Sequence, residues 1–354
     1  MQNNYFNMQK EKLEKIKHKE DIIVLGIETS CDETAASVVL NGRTIFSNVV
    51  FSQIPLHTIY GGVVPEIASR AHTEKIDIVV SEALKQSGYT LSGIDAIAVT
   101  KGPGLVGALL VGVSYAKALA FAADKPLIGV NHIEGHICSN YLSFKELNPP
   151  CMCLVASGGH SHIIKVDEND NYTLVGCTQD DAAGEAFDKA ARVLGLGYPG
   201  GPKLDAASKT GNDSFLKLPH PKTQGKYDFS FSGLKTAFIN NLHNMRQKNT
   251  PYKVEDCAAS FQKAVVESLV EKTMLAVNDK KADKLLIAGG VSANSLLRRR
   301  FKEECAKTNT ALYMPQLFLC GDNAAMIAAA GHRRLLKGDL AQLNLNAEPN
   351  LKLV

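Results

Sequence analysis

The feature that most constrains this chain is an order of hydrophobic patterns that occurs twice, on either side of Asn148-Pro149-Pro150. Short apolar runs over 22–27, 36–40 and 45–50, with turn residues between them, predict three consecutive antiparallel strands. A helix is expected over 65–87, where Pro65 suits the first turn, then a strand over 94–100. A glycine-interrupted helix over 104–122, a strand over 127–130 and a helix carrying two histidines complete the first half. Beyond the break, 152–156, 162–166 and 172–177 read as strands and 181–194 as a helix. A Gly/Pro-rich loop over 195–202 and a polar stretch to about Asp228 come next. A helix over 254–277, a strand over 284–288, a helix over 292–307 and a last helix over 322–336 finish the chain. Each half runs βββαβα, although no repeat of residues accompanies the repeat of elements. Such an order builds a duplicated α/β fold of two mixed sheets faced by helices, with a cleft between the halves suited to a ligand. The expected divisions are a charged extension over 1–20, a first half over 21–150 joined by the C-terminal 322–354, and a second half over 151–321.

Composition narrows the class. A net charge of +3 neither announces nor excludes a nucleic-acid partner. The 8 cysteines are scattered without a C-x-x-C pair, as expected of reduced thiols in a cytoplasmic protein rather than of a disulfide framework. No apolar run reaches the roughly 18 residues of a membrane span. The first twenty residues are rich in Lys and Glu without an apolar core, so they read as a solvated helical extension and not as a secretory signal.

Chemistry concentrates at a few turns. In Asn131-His132-Ile133-Glu134-Gly135-His136, a helix opening after Val130 would project His132 and His136 from one face, where they can share a metal ion. The other reading is two polar residues at a helix end. A zincin protease places its acid next to the first histidine, and Glu134 is one place too far along. The turns Gly26–Thr34 and Ser157-Gly158-Gly159-His160-Ser161 occupy matching places between the first two strands of each half, and their small residues suit an anion held by backbone N–H groups. Ala288–Asn294 follows a strand and opens a helix, with close approach to a nucleotide or simple capping by Ser292 as alternatives. Asp322 either caps the last helix or is a carboxylate brought to the histidines. Arg298-Arg299-Arg300 with Lys302 either touches RNA phosphates or forms a solvated helix face.

Taken together, GIETSCDET (26–34), YGGVVPEIASR (60–70), KGPGLVGALLVG (101–112), NHIEGH (131–136), SGGH (157–160), DDAAGEAFDKAARVLGLGYPGGP (180–202), DFSFSGLKT (228–236), AGGVSAN (288–294) and CGDNAAMIA (320–328) resemble the TsaD family. This is the bacterial branch of the Kae/TsaD/Qri group, formerly described as O-sialoglycoprotein endopeptidases. The resemblance covers nearly everything from Ile22 to about Leu336. It implies the duplicated actin/Hsp70/sugar-kinase-like (ASKHA) fold. It also implies transfer of a threonylcarbamoyl group from threonylcarbamoyl-AMP to N6 of the adenosine 3′ of the anticodon, in tRNAs reading codons that begin with A.

By motif matching, one divalent ion, iron(II) or zinc, would be held by His132, His136 and Asp322. The adenylate, or ATP or ADP in its place, would lie along Val155, Ala156, Ser157, Gly158 and Gly159, with Asp188, Gly201, Asp205 and Asn294 at its ribose and base. The motif has Gly321 and Ala324 where relatives often carry Thr and Gly, which leaves Asp322 in place. No catalytic base is assigned; Asp32 is the candidate, against a role in fixing its turn. The implied partners are tRNA, TsaB as a heterodimer, the ATPase TsaE and a TsaC-type synthase that supplies the donor, all in the cytoplasm and away from membranes. Small residues Gly107, Ala108, Gly112, Ala116 and Ala120 would serve either helix docking with TsaB or packing inside the first half. The rival readings are an ASKHA-type ATPase or phosphotransferase and a non-catalytic scaffold, with a metalloprotease disfavoured.

Overall fold

The computed structural model describes residues 2–220 and 222–354. The chain forms two compact units, one built from the residues up to Leu147 together with Pro315–Leu353, the other from Asn148–Met314. In the first, helix α1 (Gln2–Ile16) precedes strands β1 (Ile23–Glu28), β2 (Glu33–Leu40) and β3 (Thr44–Ser52). Helices α2 (Ile54–Thr58) and α3 (Pro65–Ser87), strand β4 (Ala96–Gly102), helix α4 (Val106–Ala122), strand β5 (Leu127–Asn131) and helix α5 (His132–Ser143) follow. The second unit holds β6 (Cys151–Ala156), β7 (Ser161–Val166), β8 (Tyr172–Cys177), α6 (Ala183–Val193), α7 (Gly200–Ser208), α8 (Ser232–Gln247), α9 (Val254–Asp279), β9 (Lys284–Ala288), α10 (Ser295–Thr308) and β10 (Ala311–Tyr313). Helix α11 (Ala324–Lys337) returns to the first unit.

The two sheets share one topology: β3-β2-β1-β4-β5 and β8-β7-β6-β9-β10. In each, the first three strands pair antiparallel, and the fourth and fifth join in parallel. The duplicated α/β expectation is therefore what the chain adopts. β1 is buried along its whole length because helices cover both faces, which is why it reads as an unbroken apolar run. Its side chains alternate: Ile23, Leu25 and Ile27 join the core with Ile76, Val79 and Val80 of α3 and Val113 and Ala116 of α4. Gly26, on the other face, meets α11, and a Cβ there would sit 2.3 Å from Ala324 O and 2.7 Å from Ala328 N.

Several details differ from the sequence reading. The N-terminal segment is not a solvated extension. Tyr5, Gln9, Leu13 and Ile16 form a buried stripe on α1, Tyr5 Oη donates to Lys125 O (2.8 Å), and Gln9 Oε1 accepts from Leu127 N–H (3.3 Å). An amide in the stripe and a lysine-rich opposite face hid its amphipathicity. The expected 195–202 loop contains the start of α7, whose first N–H groups are satisfied by the distant Asp188 carboxylate, and α8 and β10 also escaped the pattern. Ser292 does not cap α10; Asn294 does, by accepting from Leu297 N–H (2.9 Å). On α4, Ala108, Gly112, Ala116 and Ala120 are buried, and Gly107 and Gly112 lie against Ser69 and Thr29, so these small residues pack inside the unit.

Because the face of β1 at Gly26 is occupied by α11 backbone, Gly26→Val should lower stability to denaturant by about 1–3 kcal/mol through overpacking. On α11 itself, burial first, then the Arg333 and Arg43 charges, lower the His332 pKa to about 4. The folded state thus favours neutral His332, and the unfolded chain gains a proton as pH falls below its usual value near 6.5. Between pH 7 and 5 the wild type should lose about 2 kcal/mol that His332→Gln does not, measured as a difference in urea midpoints.

Candidate metal centre and nucleotide-binding turns

In the first unit β5 runs directly into α5, with Asn131 as cap: its side chain accepts from Ile133 N–H (2.8 Å). This fixes His132 as the first helical residue and sets His136 one turn later on the same face, with ring centroids 4.6 Å apart. Asp322 faces both rings, its Oδ1 lying 3.4 Å from His132 Nε2 and 3.2 Å from His136 Nε2. Asp322 is available because its neighbour caps α11: Asn323 Oδ1 accepts from Met326 N–H (3.0 Å). That decides between the two sequence readings of Asp322. Close packing of α5 on α11 holds the facing groups, and a Cβ on Gly135 would come 2.8 Å from Ile327 Cδ1.

One ligand atom each from His132, His136 and Asp322 lies within 4.8 Å of the others, the arrangement of a three-ligand cation site. The residues fit such an ion for a further reason. His136 is wholly buried, yet its Nδ1 has no hydrogen-bond partner and its Nε2 faces only Asp322 Oδ1. Burial disfavours charge on His132 and Asp322, but each more than overcomes it through the other. The Asp322 and Glu28 carboxylates raise the His132 pKa well above its usual value, and His132 and His136 hold Asp322 well below the carboxylate range. Nearby, burial and the Asp322 and Asp32 carboxylates push Glu33 up to about 9. A donor set of two imidazoles and one carboxylate among further acids suits iron(II) or zinc.

Glu28 escaped the sequence reading. It is fully buried at the end of β1, with Oε2 3.0 Å from His132 Nδ1. A carboxylate closing an apolar strand was the available signal. Glu134 accepts from Arg334 Nε (2.6 Å) on α11, which makes it structural and not a hydrolytic base. Asp32 is buried in the turn between β1 and β2, while Gly26, assigned by pattern to an anion-binding turn, instead admits α11.

The second unit gathers the other site residues. Val155 and Ala156 end β6, and the Ser157 turn closes on itself, with Ser157 N–H donating to His160 O (2.8 Å) and its Oγ accepting from His160 N–H (3.2 Å). Gly158 and Gly159 are exposed at its tip, where an added Cβ would meet nothing within 4 Å and φ is not positive. Neither packing nor conformation calls for glycine there, and the backbone at the tip is accessible. Gly201 is open in the same way and sits beside Asp188, whose Oδ1 accepts from Gly200 and Gly201 N–H (2.8 and 3.2 Å). Asp205 and Asn294 are also brought together. Asp205 Oδ1 accepts from Ser295 N–H and Oγ–H (3.2 and 2.7 Å), and Asn294 Nδ2 donates to Gln262 Oε1 (3.0 Å). A polar cavity of about 400 Å³, lined by Gln262, Ser295 and Arg299, opens beside them. Two of the three arginines are engaged within the unit, Arg300 with Glu267, Glu303 and Glu304 and Arg298 through Nε to Ser292 O, while Arg299 and Lys302 are exposed.

Comparison with known proteins agrees with this geometry. The family model described as "TsaD: tRNA N6-adenosine threonylcarbamoyltransferase" matches residues 44–329. A tRNA N6-adenosine threonylcarbamoyltransferase of Clostridium perfringens is 55% identical over 335 residues, covering 94% of this chain and 98% of that protein. One from Clostridium botulinum is 54% identical over 336 residues, covering 95% and 99%. Among solved structures, T. kodakarensis HypF aligns with a TM-score of 0.62 at 15% identity, over 92% of this chain and 49% of that one. The activator of the 2-hydroxyisocaproyl-CoA dehydratase from Clostridium difficile, with bound ADPNP, aligns with a TM-score of 0.51 at 15% identity, over 90% and 97%. These two support the fold alone. With both sheets in the duplicated ASKHA-like arrangement and every quoted motif in place, the chain belongs to the TsaD family of tRNA N6-adenosine threonylcarbamoyltransferases.

Proposed function

We propose that this chain transfers the threonylcarbamoyl group of threonylcarbamoyl-AMP to N6 of the adenosine 3′ of the anticodon, in tRNAs whose codons begin with A, with release of AMP. Family membership carries the transfer to tRNA; the ligand atoms of His132, His136 and Asp322, within 4.8 Å of one another, carry the metal dependence. In the reaction the N6 amine attacks the carbamoyl carbon, the bond from that carbon to the phosphate oxygen breaks, and N6 loses a proton.

The second unit's residues suit the adenylate. The bare backbone at Gly158 and Gly159 offers N–H groups to the phosphate. Asp188 and Asp205 accept ribose hydroxyls, as carboxylates do at nucleotide sites. Asn294 keeps an amide hydrogen for the base after donating one to Gln262. In the first unit His132, His136 and Asp322 hold the ion, which supplies Lewis-acid polarisation and charge stabilisation. Asp32, buried in its turn, is the residue to test as proton acceptor. Family membership assigns the work to the cytoplasm; among the described residues no helix is long and apolar enough to cross a membrane. A TsaB-like partner would dock on the outward face of α3 and α4, where Ile78, Val106 and Leu110 are exposed. A TsaE-like ATPase and a TsaC-type synthase complete the system.

The test is mass spectrometry of tRNA nucleosides after incubating the protein with partners, ANN-decoding tRNA and threonylcarbamoyl-AMP. Threonylcarbamoyladenosine should form, and a chelator should suppress it; a folded protein with competent partners and no product would leave an ATPase or scaffold. His136→Ala should lose bound metal and transfer together. Gly158→Val should retain metal and fold but raise KM for the adenylate about tenfold or more, the equivalent of roughly 1.4 kcal/mol of lost binding.

A further inference from the structure

We propose that Glu28 is the positioning residue of the metal centre: by holding His132 at Nδ1 it aims Nε2 at the ion and sets the affinity of the site. The inference rests on the metal reading above. Glu28 has no exposure to solvent, and among the described residues its one ionic partner is His132. Each carboxylate oxygen has its own donors. Oε1 accepts from Ser30 N–H (2.5 Å); Oε2 accepts from Thr100 Oγ1 (2.6 Å) and lies 3.0 Å from His132 Nδ1. Ser30 Oγ stands 3.1 Å from the same Nδ1.

A buried carboxylate without a lysine or arginine is a poor device for stability, since apolar residues of similar volume generally serve as well or better. Its value lies in the imidazole. Donation from Nδ1–H to Oε2 selects the tautomer whose Nε2 lone pair is free, and the Thr100 and Ser30 contacts fix the plane in which it points. That Nε2 is the nitrogen facing Asp322. The arrangement is one-sided: His136 Nδ1 has no partner, so a single carboxylate orients one of the two histidines. β1 and β4 thereby take part in a site whose ligands all come from α5 and the segment before α11.

The experiment measures zinc affinity of the full chain by competition with a chromophoric chelator, together with unfolding of the metal-free protein. Glu28→Gln keeps the size, but its one carbonyl oxygen can serve either Ser30 N–H or the His132 side, not both. It should bind zinc about 10–100-fold more weakly when measured on metal-free protein that is still fully folded, whatever metal-free stability the unpaired donor costs. Zinc affinity within twofold of wild type, on protein that is folded without metal, would overturn the proposal. Should Glu28→Gln fail to fold, Thr100→Val, which removes one donor to Oε2 and keeps the charge, should weaken zinc roughly 3–10-fold, and wild-type affinity there would overturn it. A wild-type chain that binds no zinc or iron(II) would sink the metal reading itself, a different result from equal binding by wild type and variant.

Discussion

The first unit depends on one close approach, that of α11 to the back of β1 at Gly26. No side chain fits between them, since even a Cβ would overlap the Ala324 carbonyl. A second small contact, Gly331 against Ala98 of β4, seats the same helix further along. Together they bring the segment before α11 against α5, and with it the carboxylate of Asp322. Helix–sheet packing at van der Waals limits transmits position because interiors are as dense as organic crystals. The site is accurate because the packing is tight.

Charge balance around the histidines follows from that placement. Glu28, His132 and His136 are withdrawn from water, and the charges of Glu28, His132 and Asp322 sustain one another there. Removing one member leaves the rest costly to bury. The buried His136 has no partner at Nδ1 and faces only Asp322 at Nε2. The second unit solves a different problem. Its polar side chains at Asp188, Asp205 and Asn294 hold helix starts in place, and its bare glycines leave backbone accessible. The groups that organise those helix ends are the ones proposed above to meet the nucleotide.

Much of this was legible in the residues. The two βββαβα runs gave both sheets except the edge strand β10, because strands covered on both faces are necessarily apolar and helices on a sheet are necessarily amphipathic. The spacing of His132 and His136 gave a shared helical face. The start of α7 and the burial of α1 were missed for one cause: both rest on polar contacts to residues 12 or more positions away, Gly200 to Asp188 and Tyr5 to Lys125, and local pattern carries no trace of such partners.

What the sequence determined by itself was the class of fold, the order of its elements, the candidate donors and the family. Periodicity is local, and so are caps, turns and motifs. Only the tertiary structure decided what each polar residue does. It made Asn323 the cap and freed Asp322, turned Glu134 to Arg334 and Glu28 to His132, and used Gly26 for packing rather than for an anion. The reason is physical: a side chain's role is set by what lies opposite it, and across a sheet or between helices that neighbour is 100 or more residues distant.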